Sequence, residues 1–335
     1  MTIPREALEA VRTVVAHSYP DEPCADGLAA ALIVHDAFLD VPERPGGIGV
    51  SKTEAFQVRF VSFNTRAYDE LEAEPNMLFV DMSPPAARVQ EFVDAGAIVL
   101  DHHATARPVV EAFGERGVFG DERAEPGLSG ALLAYRHVWR RLVDGPCEEE
   151  EQRMWSFAEL VGVRDTWQTR DPRWREATML TKVLRFFSYD EWRQKRPFVN
   201  DVARRSAMLG ETLMRRDEDF VAKLIDSAWR FETALGTRVL VLPSQFVSDA
   251  AESLRESADV VVGFSYRSDG GGAPKLRLSF RSRGTYDVGA LAASLGGGGH
   301  RNAAGAALPA LEAPNPYTAI VNVFGRAGAL GGLSY

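Results

Sequence analysis

Eight residues in the first half of the chain are of types that hold and use a divalent cation: His17, Asp21, Asp26, Asp81, Asp101, His102, His103 and Asp165. The densest group is Ile98-Val99-Leu100-Asp101-His102-His103, where an apolar, β-branched run ends directly in an acid and two imidazoles. Such a run reads as a buried parallel strand, and open α/β sheets place their sites at the carboxyl ends of such strands. Adjacent residues on an extended backbone point to opposite sides, so His102 and His103 take different jobs, one toward a metal and one toward substrate. Carboxylates with imidazoles suit Mn²⁺, Mg²⁺ or a similar cation of intermediate hardness, and the two cysteines, Cys24 and Cys147, are too few for a structural zinc site. With one aspartate bridging, two cations about 3.5–4 Å apart can activate water and steady a leaving oxygen, the chemistry of phosphoester hydrolysis.

The elements that must carry these residues emerge from hydrophobic patterning. Residues 11–16 form an apolar strand running into His17, and a helix begins at Asp26. Residues 56–61 alternate as a second strand, and 77–80 form a third that ends in Asp81. Pro84-Pro85 opens a helix to about residue 95, and 97–100 form the fourth strand. Three strand ends therefore deliver His17, Asp81 and Asp101-His102, which describes a doubly wound, mostly parallel sheet with a metal crevice. A helical stretch after Gly127-Leu128-Ser129-Gly130-Ala131 runs to about Val143, and Asp165 lies at the end of a later helix. Trp155, Trp167, Trp174, Phe186 and Phe187 nearby either stack on a base or pack a core, the second being favoured. Arg164, Arg170 and Arg173 either contact phosphate or solvate a helix face.

Residues 198–229 keep helical spacing without a proline and read as one long connecting helix. The expected division is 1–195 for a catalytic domain, 196–232 for the connection and 233–335 for a smaller α/β domain. In that last part, 238–242 and 260–264 are strand-like, with a helix at about 250–257 between them. Asp269-Gly270-Gly271-Gly272 forms a hairpin tip, and 276–280 the return strand. Then comes Gly296-Gly297-Gly298-Gly299-His300-Arg301, expected as a loop between an apolar helix and a small-residue helix start. A glycine run serves as a linker or allows close backbone approach to an anion, and its setting favours the second use.

Asp101-His102-His103, with an acidic motif upstream, Asp81 after a strand and Asp165 further on, resembles the DHH phosphoesterase superfamily. The segment Gly296-Gly297-Gly298-Gly299-His300-Arg301-Asn302-Ala303-Ala304-Gly305 is similar to the signature of its companion domain, DHHA1. The resemblance implies a DHH domain joined by a long helix to a smaller DHHA1 domain, with the active site in the cleft between them. It implies Asp26, with His17, as a ligand of one divalent cation, His102 and Asp165 as ligands of a second, usually Mn²⁺, and Asp81 as the bridge. Asp101 then orients the site, His103 faces substrate, and Arg281, Gly298, Gly299, His300 and Arg301 hold the substrate's terminal phosphate or sugar. The first motif departs from the usual pattern: Cys24-Ala25-Asp26-Gly27 is similar to an oligoribonuclease-like (nanoRNase) branch, whose histidine would align with Asp21. Either Asp21 replaces that histidine or a longer loop, bulged at 20–23, lets His17 reach the metal; His17 is favoured because it leaves the end of a strand. Cys24 is either a soft ligand or a small buried residue, and burial is the commoner fate of a free cysteine.

A net charge of -9 is wrong for holding long nucleic acid by charge alone, which favours short single-stranded RNA or DNA oligonucleotides or nucleotides as partners. No apolar run approaches a membrane span, so no membrane partner is expected and a cytoplasmic protein is, with a homodimer as the family's habit. The leading function is hydrolysis of short oligonucleotides to nucleoside monophosphates. The alternatives are a 3′-phosphoadenosine 5′-phosphate phosphatase, a cyclic mono- or dinucleotide phosphodiesterase, or a non-catalytic nucleic-acid-binding protein with a decayed site.

Overall fold

A computed structural model describes residues 3–19, 23–38, 57–63, 65–121, 123–195, 198–243, 246–254, 257–268, 272–282 and 286–329. Asp21, most of the 20–23 bulge, Phe56 and most of the hairpin tip at 269–272 lie outside them. The chain divides into two compact units, 1–213 and 214–335, and the division falls inside the helix Phe198–Ser227.

In the first unit, β1 (Thr13–His17), β2 (Gln57–Val61), β3 (Met77–Val80), β4 (Ile98–Asp101) and β5 (Gly117–Phe119) form one sheet. Its order is β2-β1-β3-β4-β5, and each neighbouring pair is parallel. Val14, Val15, Leu78, Phe79, Val80, Val99 and Leu100 are fully buried, as strands covered on both faces require. The strand order reverses direction between β1 and β3, and a doubly wound sheet opens its crevice at that point. Helix Ala25–Phe38 is buried from Asp26 to Ala37, because its Ala, Leu, Ile and Val residues leave no polar face to turn outward. It packs against β1 and against the helices Gly130–Ala134 and Glu148–Asp165.

The second unit holds β6 (Trp229–Glu232), β7 (Arg238–Leu242), β8 (Val260–Arg267), β9 (Lys275–Ser282), β10 (Gly298–His300) and β11 (Ala303–Pro309). The order is β10-β11-β9-β8-β7-β6, antiparallel except for β7 with β8. Val262, Leu278, Phe280, Ala304 and Ala306 face a core closed by Leu291, Ile320 and Phe324. The segment after the glycine run is therefore a strand, not the start of a helix. Glycine and alanine have low strand propensity, but β9 offers a full partner edge, and pairing overrides propensity. The last two glycines of the run are strand as well, after a turn at Gly296. Gly298–His300 pairs with Ala303–Gly305, and Gly299 takes φ +132, a backbone conformation that favours glycine. The helix expected at about 250–257 runs Val247–Ser253 instead.

Candidate metal centre

Three neighbouring strands end at one edge of the first sheet, which brings residues distant in sequence within hydrogen-bond reach. His17 is the last residue of β1, Asp81 comes directly after β3, and Asp101 ends β4 with His102 next. Asp81 has φ +57, a left-handed backbone that costs a non-glycine residue about 1 kcal/mol or more and is held where the surroundings insist. Here its N–H donates to Leu100 O at 2.9 Å, which ties the turned backbone to β4. The two carboxylate oxygens of Asp81 then face two different groups of donors.

The first group is His17, Cys24 and Asp81, all buried. Asp81 Oδ2 lies 3.4 Å from His17 Nδ1 and 3.6 Å from Cys24 Sγ. The second group is Asp26, His102 and Asp165, so Asp26 stands with His102 and Asp165 and not, as the resemblance implies, with His17. His102 Nε2 lies 3.4 Å from Asp26 Oδ2, 3.5 Å from Asp165 Oδ2 and 3.0 Å from Asp81 Oδ1. Asp81 therefore spans both groups through its two oxygens. His17 and not only carboxylates completes the first group, so among the described residues the donor leaving β1 does reach the site.

Asp26 is fixed by a device that sequence patterns do not announce. Its Oδ2 accepts from Gly130 N at 2.6 Å and its Oδ1 from Ala131 N at 2.8 Å. The carboxylate thus sits on the N-terminus of helix Gly130–Ala134, where free amides and the helix dipole favour an anion. Ser129 Oγ caps the same turn by accepting from Leu132 N at 3.4 Å. Gly130 must be glycine: a Cβ there would lie 2.5 Å from Asp81 Cβ and 2.9 Å from Asp26 Oδ2.

Asp101 and His103 belong to neither of these two groups, although the His103 ring lies 4.7 Å from that of His102. Asp101 Oδ1 accepts from His103 N at 3.0 Å and pairs with His103 Nδ1 at 2.8 Å, while Ser83 Oγ donates to Oδ2 at 2.6 Å. An ionised carboxylate only accepts, so Nδ1 carries the proton and Nε2 is the ring's other functional atom. Burial opposes His103's protonation, yet the facing Asp101 carboxylate outweighs it and raises the imidazole's pKa. Ser83 is a site residue that sequence reasoning misses; its signal is a small polar residue just after Asp81 at a strand end.

The electrostatics call for positive charge. Burial, together with the charges of Asp81 and Asp165, raises Asp26 to about 7. Burial also opposes ionisation of Asp81, but the His102 and His17 imidazoles facing it prevail and hold it well below the usual carboxylate range. His17 Nδ1 and Asp165 Oδ2 are buried atoms that make no hydrogen bond. Three carboxylates around one imidazole, with two buried atoms unsatisfied, suit divalent cations in chemistry as well as number.

Of the nearby aromatics, Trp155 and Phe187 are half-buried and Phe186 is exposed, while the other two pack. Trp167 and Trp174 are buried and meet edge to face at 5.2 Å, with the Arg164 guanidinium 4.7 Å and 4.8 Å from their ring centroids. Arg173 is engaged by Glu159 and Asp171. In the second unit, the register aligns Arg281 with Ala303 and Ala303 with His300, so Arg281 and His300 share a sheet face about 10 Å apart. Arg281 Nε donates to Ser248 Oγ at 2.9 Å. Gly298 and Gly299 belong to β10, and Arg301 lies exposed in the turn to β11.

Comparison with known proteins agrees with this architecture. Residues 239–323 match the DHHA1 domain family. No curated protein matches the chain by sequence. Among solved structures, the DHH domain of a member of the s1p family of ribosomal proteins aligns with TM-score 0.61 at 13% identity, covering 96% of this chain and 87% of that one. The pGpG-specific phosphodiesterase PggH from Vibrio cholerae aligns with TM-score 0.39 at 13% identity, covering 92% and 97% of the two chains. CDC45 from Entamoeba histolytica aligns with TM-score 0.45 at 8% identity, covering 96% and 97%. Residues 239–323 thus match the DHHA1 domain family, and the fold of the chain is similar to that of a DHH-domain structure.

Proposed function

We propose that the chain is a metal-dependent phosphodiesterase that hydrolyses short single-stranded oligonucleotides to nucleoside monophosphates. The observation that carries this reading is Asp81, whose Oδ2 faces His17 and Cys24 while its Oδ1 faces His102 of the group Asp26, His102 and Asp165. Divalent cations bound there, Mn²⁺ first by donor hardness and Mg²⁺ second, would supply an activated water and neutralise phosphoryl charge. Asp26, His102 and Asp165 hold one, and His17 and Asp81 hold the other.

His103 acts from the substrate side. With Nδ1 tied to Asp101, Nε2 hydrogen-bonds the scissile phosphate or gives its proton to the leaving oxygen. Asp101 is a positioning residue, and the Ser83 hydroxyl holds it. Arg281, His300 and Arg301, with the backbone of Gly298 and Gly299, are assigned to anion binding in the second unit. The two side chains on one sheet face are suited to a terminal phosphate or sugar. The acidic net charge favours substrates of a few nucleotides.

The test is hydrolysis of end-labelled 2- to 5-mer RNA and DNA with Mn²⁺, beside adenosine 3′,5′-bisphosphate and cyclic dinucleotides, against Asp81→Ala. Ladders lost in the variant support the proposal and show which end is attacked. Cleavage of only the small nucleotides replaces it with the phosphatase or cyclic-nucleotide reading. Silence on every substrate, with metal bound, replaces it with a binding protein.

A further inference from the structure

We propose that Cys24 is a metal donor, so that one of the two cation positions is a nitrogen–sulfur–oxygen site formed by His17, Cys24 and Asp81. This rests on the two-cation reading above and adds that the two positions differ in softness.

Cys24 immediately precedes helix Ala25–Phe38, and its carbonyl accepts from Leu28 N at 2.9 Å as the helix begins. That geometry lets Cys24-Ala25-Asp26 supply one donor to each group: Sγ joins His17 and Asp81, and the Asp26 carboxylate joins His102 and Asp165. A cysteine that only fills space would end against apolar atoms. Cys24 Sγ instead lies 3.6 Å from Asp81 Oδ2, the oxygen that also faces His17 Nδ1 at 3.4 Å.

His17 independently points to a ligand. Its side chain is 9% exposed, and Nδ1 makes no hydrogen bond although it is directed at the same carboxylate oxygen. A buried ring nitrogen without a hydrogen bond is a cost that a metal ion removes. The three donor atoms lie within 4.8 Å of one another, and all three residues are buried. Three protein donors also leave room for a water or substrate oxygen, as catalytic sites need.

A thiolate changes what such a site selects. Sulfur favours borderline ions such as Zn²⁺, Co²⁺ and Fe²⁺ over Mg²⁺, whereas two carboxylates and an imidazole accept Mn²⁺ or Mg²⁺. Coordination breaks the S–H bond, forms the metal–sulfur bond and releases one proton to solvent, leaving all oxidation states unchanged. The first position therefore prefers a softer ion than the second.

The experiment uses the full chain carrying Cys147→Ser, which leaves Cys24 as its one cysteine. Titration with Co²⁺ is tracked by absorption: visible ligand-field bands report bound cobalt, and a near-ultraviolet charge-transfer band reports cobalt–thiolate bonding. The expected result is a charge-transfer band of one thiolate per chain. Cys24→Asp in the same background should lose that band, keep two bound ions, and bind Zn²⁺ at least about tenfold less tightly at the first position. Two bound cobalt ions without a charge-transfer band overturn the cysteine assignment and leave the two-cation reading standing. Failure to bind cobalt stoichiometrically overturns both.

Discussion

Replacing Gly130 by alanine should damage the proposed metal centre without substituting any of its ligands. The new Cβ would fall 2.5 Å from Asp81 Cβ and 2.9 Å from both Asp81 Cα and Asp26 Oδ2. None of these atoms is the free end of a flexible chain: Asp81 is held by β4 and Asp26 by two amides of the helix being displaced. Overpacking of this kind costs about 2–3 kcal/mol. For a unit of 213 residues that is a fall of about 4–12 °C in melting temperature. Moving the helix N-terminus also removes the support that orients Asp26, which should weaken cation binding about 10–100-fold. Gly325 is the matched control: it is exposed in helix Pro316–Ala329, and a Cβ there meets nothing within 4 Å. Gly325→Ala should stabilise by about 0.5–1 kcal/mol and leave metal binding alone. Thermal melts and Mn²⁺ titration calorimetry of both variants decide the matter. A Gly130→Ala protein that melts with the parent and binds Mn²⁺ equally well would refute the claim that this helix terminus holds the centre together.

Ser83→Ala removes the 2.6 Å hydrogen bond to buried Asp101, so it should cost about 1.5–3 kcal/mol in a urea melt and lower kcat for oligonucleotide hydrolysis, with metal content unchanged. Arg281→Ala should raise KM with little effect on kcat or metal content, since its assigned work is binding; a kcat loss at constant KM would contradict that assignment. Burial, then the nearby Arg136 charge, lowers the pKa of His137 to about 4. Its neutral form is the one the fold favours, so the stability it contributes is complete above pH 6.5 and is lost as pH falls toward 4. The full effect would be about 3 kcal/mol, and partial exposure reduces it to about 1–2 kcal/mol. His137→Gln should flatten the parent's pH dependence across that window in paired urea melts.

The parts of this fold written plainly in the sequence are those where one physical demand acts alone. β1, β3 and β4 are buried on both faces, so they are unbroken apolar runs, and the polar residue that ends each run marks the sheet edge. Features that depend on partners far along the chain are harder to read. Asp26 meets amides 104 and 105 residues distant, and no local pattern at Gly130 signals that meeting. β5 has three residues and β6 four, too short for periodicity to register. β10 and β11 are rich in glycine and alanine, which say loop or helix until β9 supplies an edge. Trp167 and Trp174 have the chemistry to stack on a base as well as to pack, and only their burial around Arg164 assigns them to packing.

The central claim is that Asp81 bridges two cations. Crystals grown with Mn²⁺ and measured at its absorption edge test it most directly. The account predicts two anomalous peaks about 3.5–4 Å apart. One should lie among His17, Cys24 and Asp81, and the other among Asp26, His102 and Asp165, with an Asp81 oxygen on each. A single peak, or peaks away from Asp81, would contradict it.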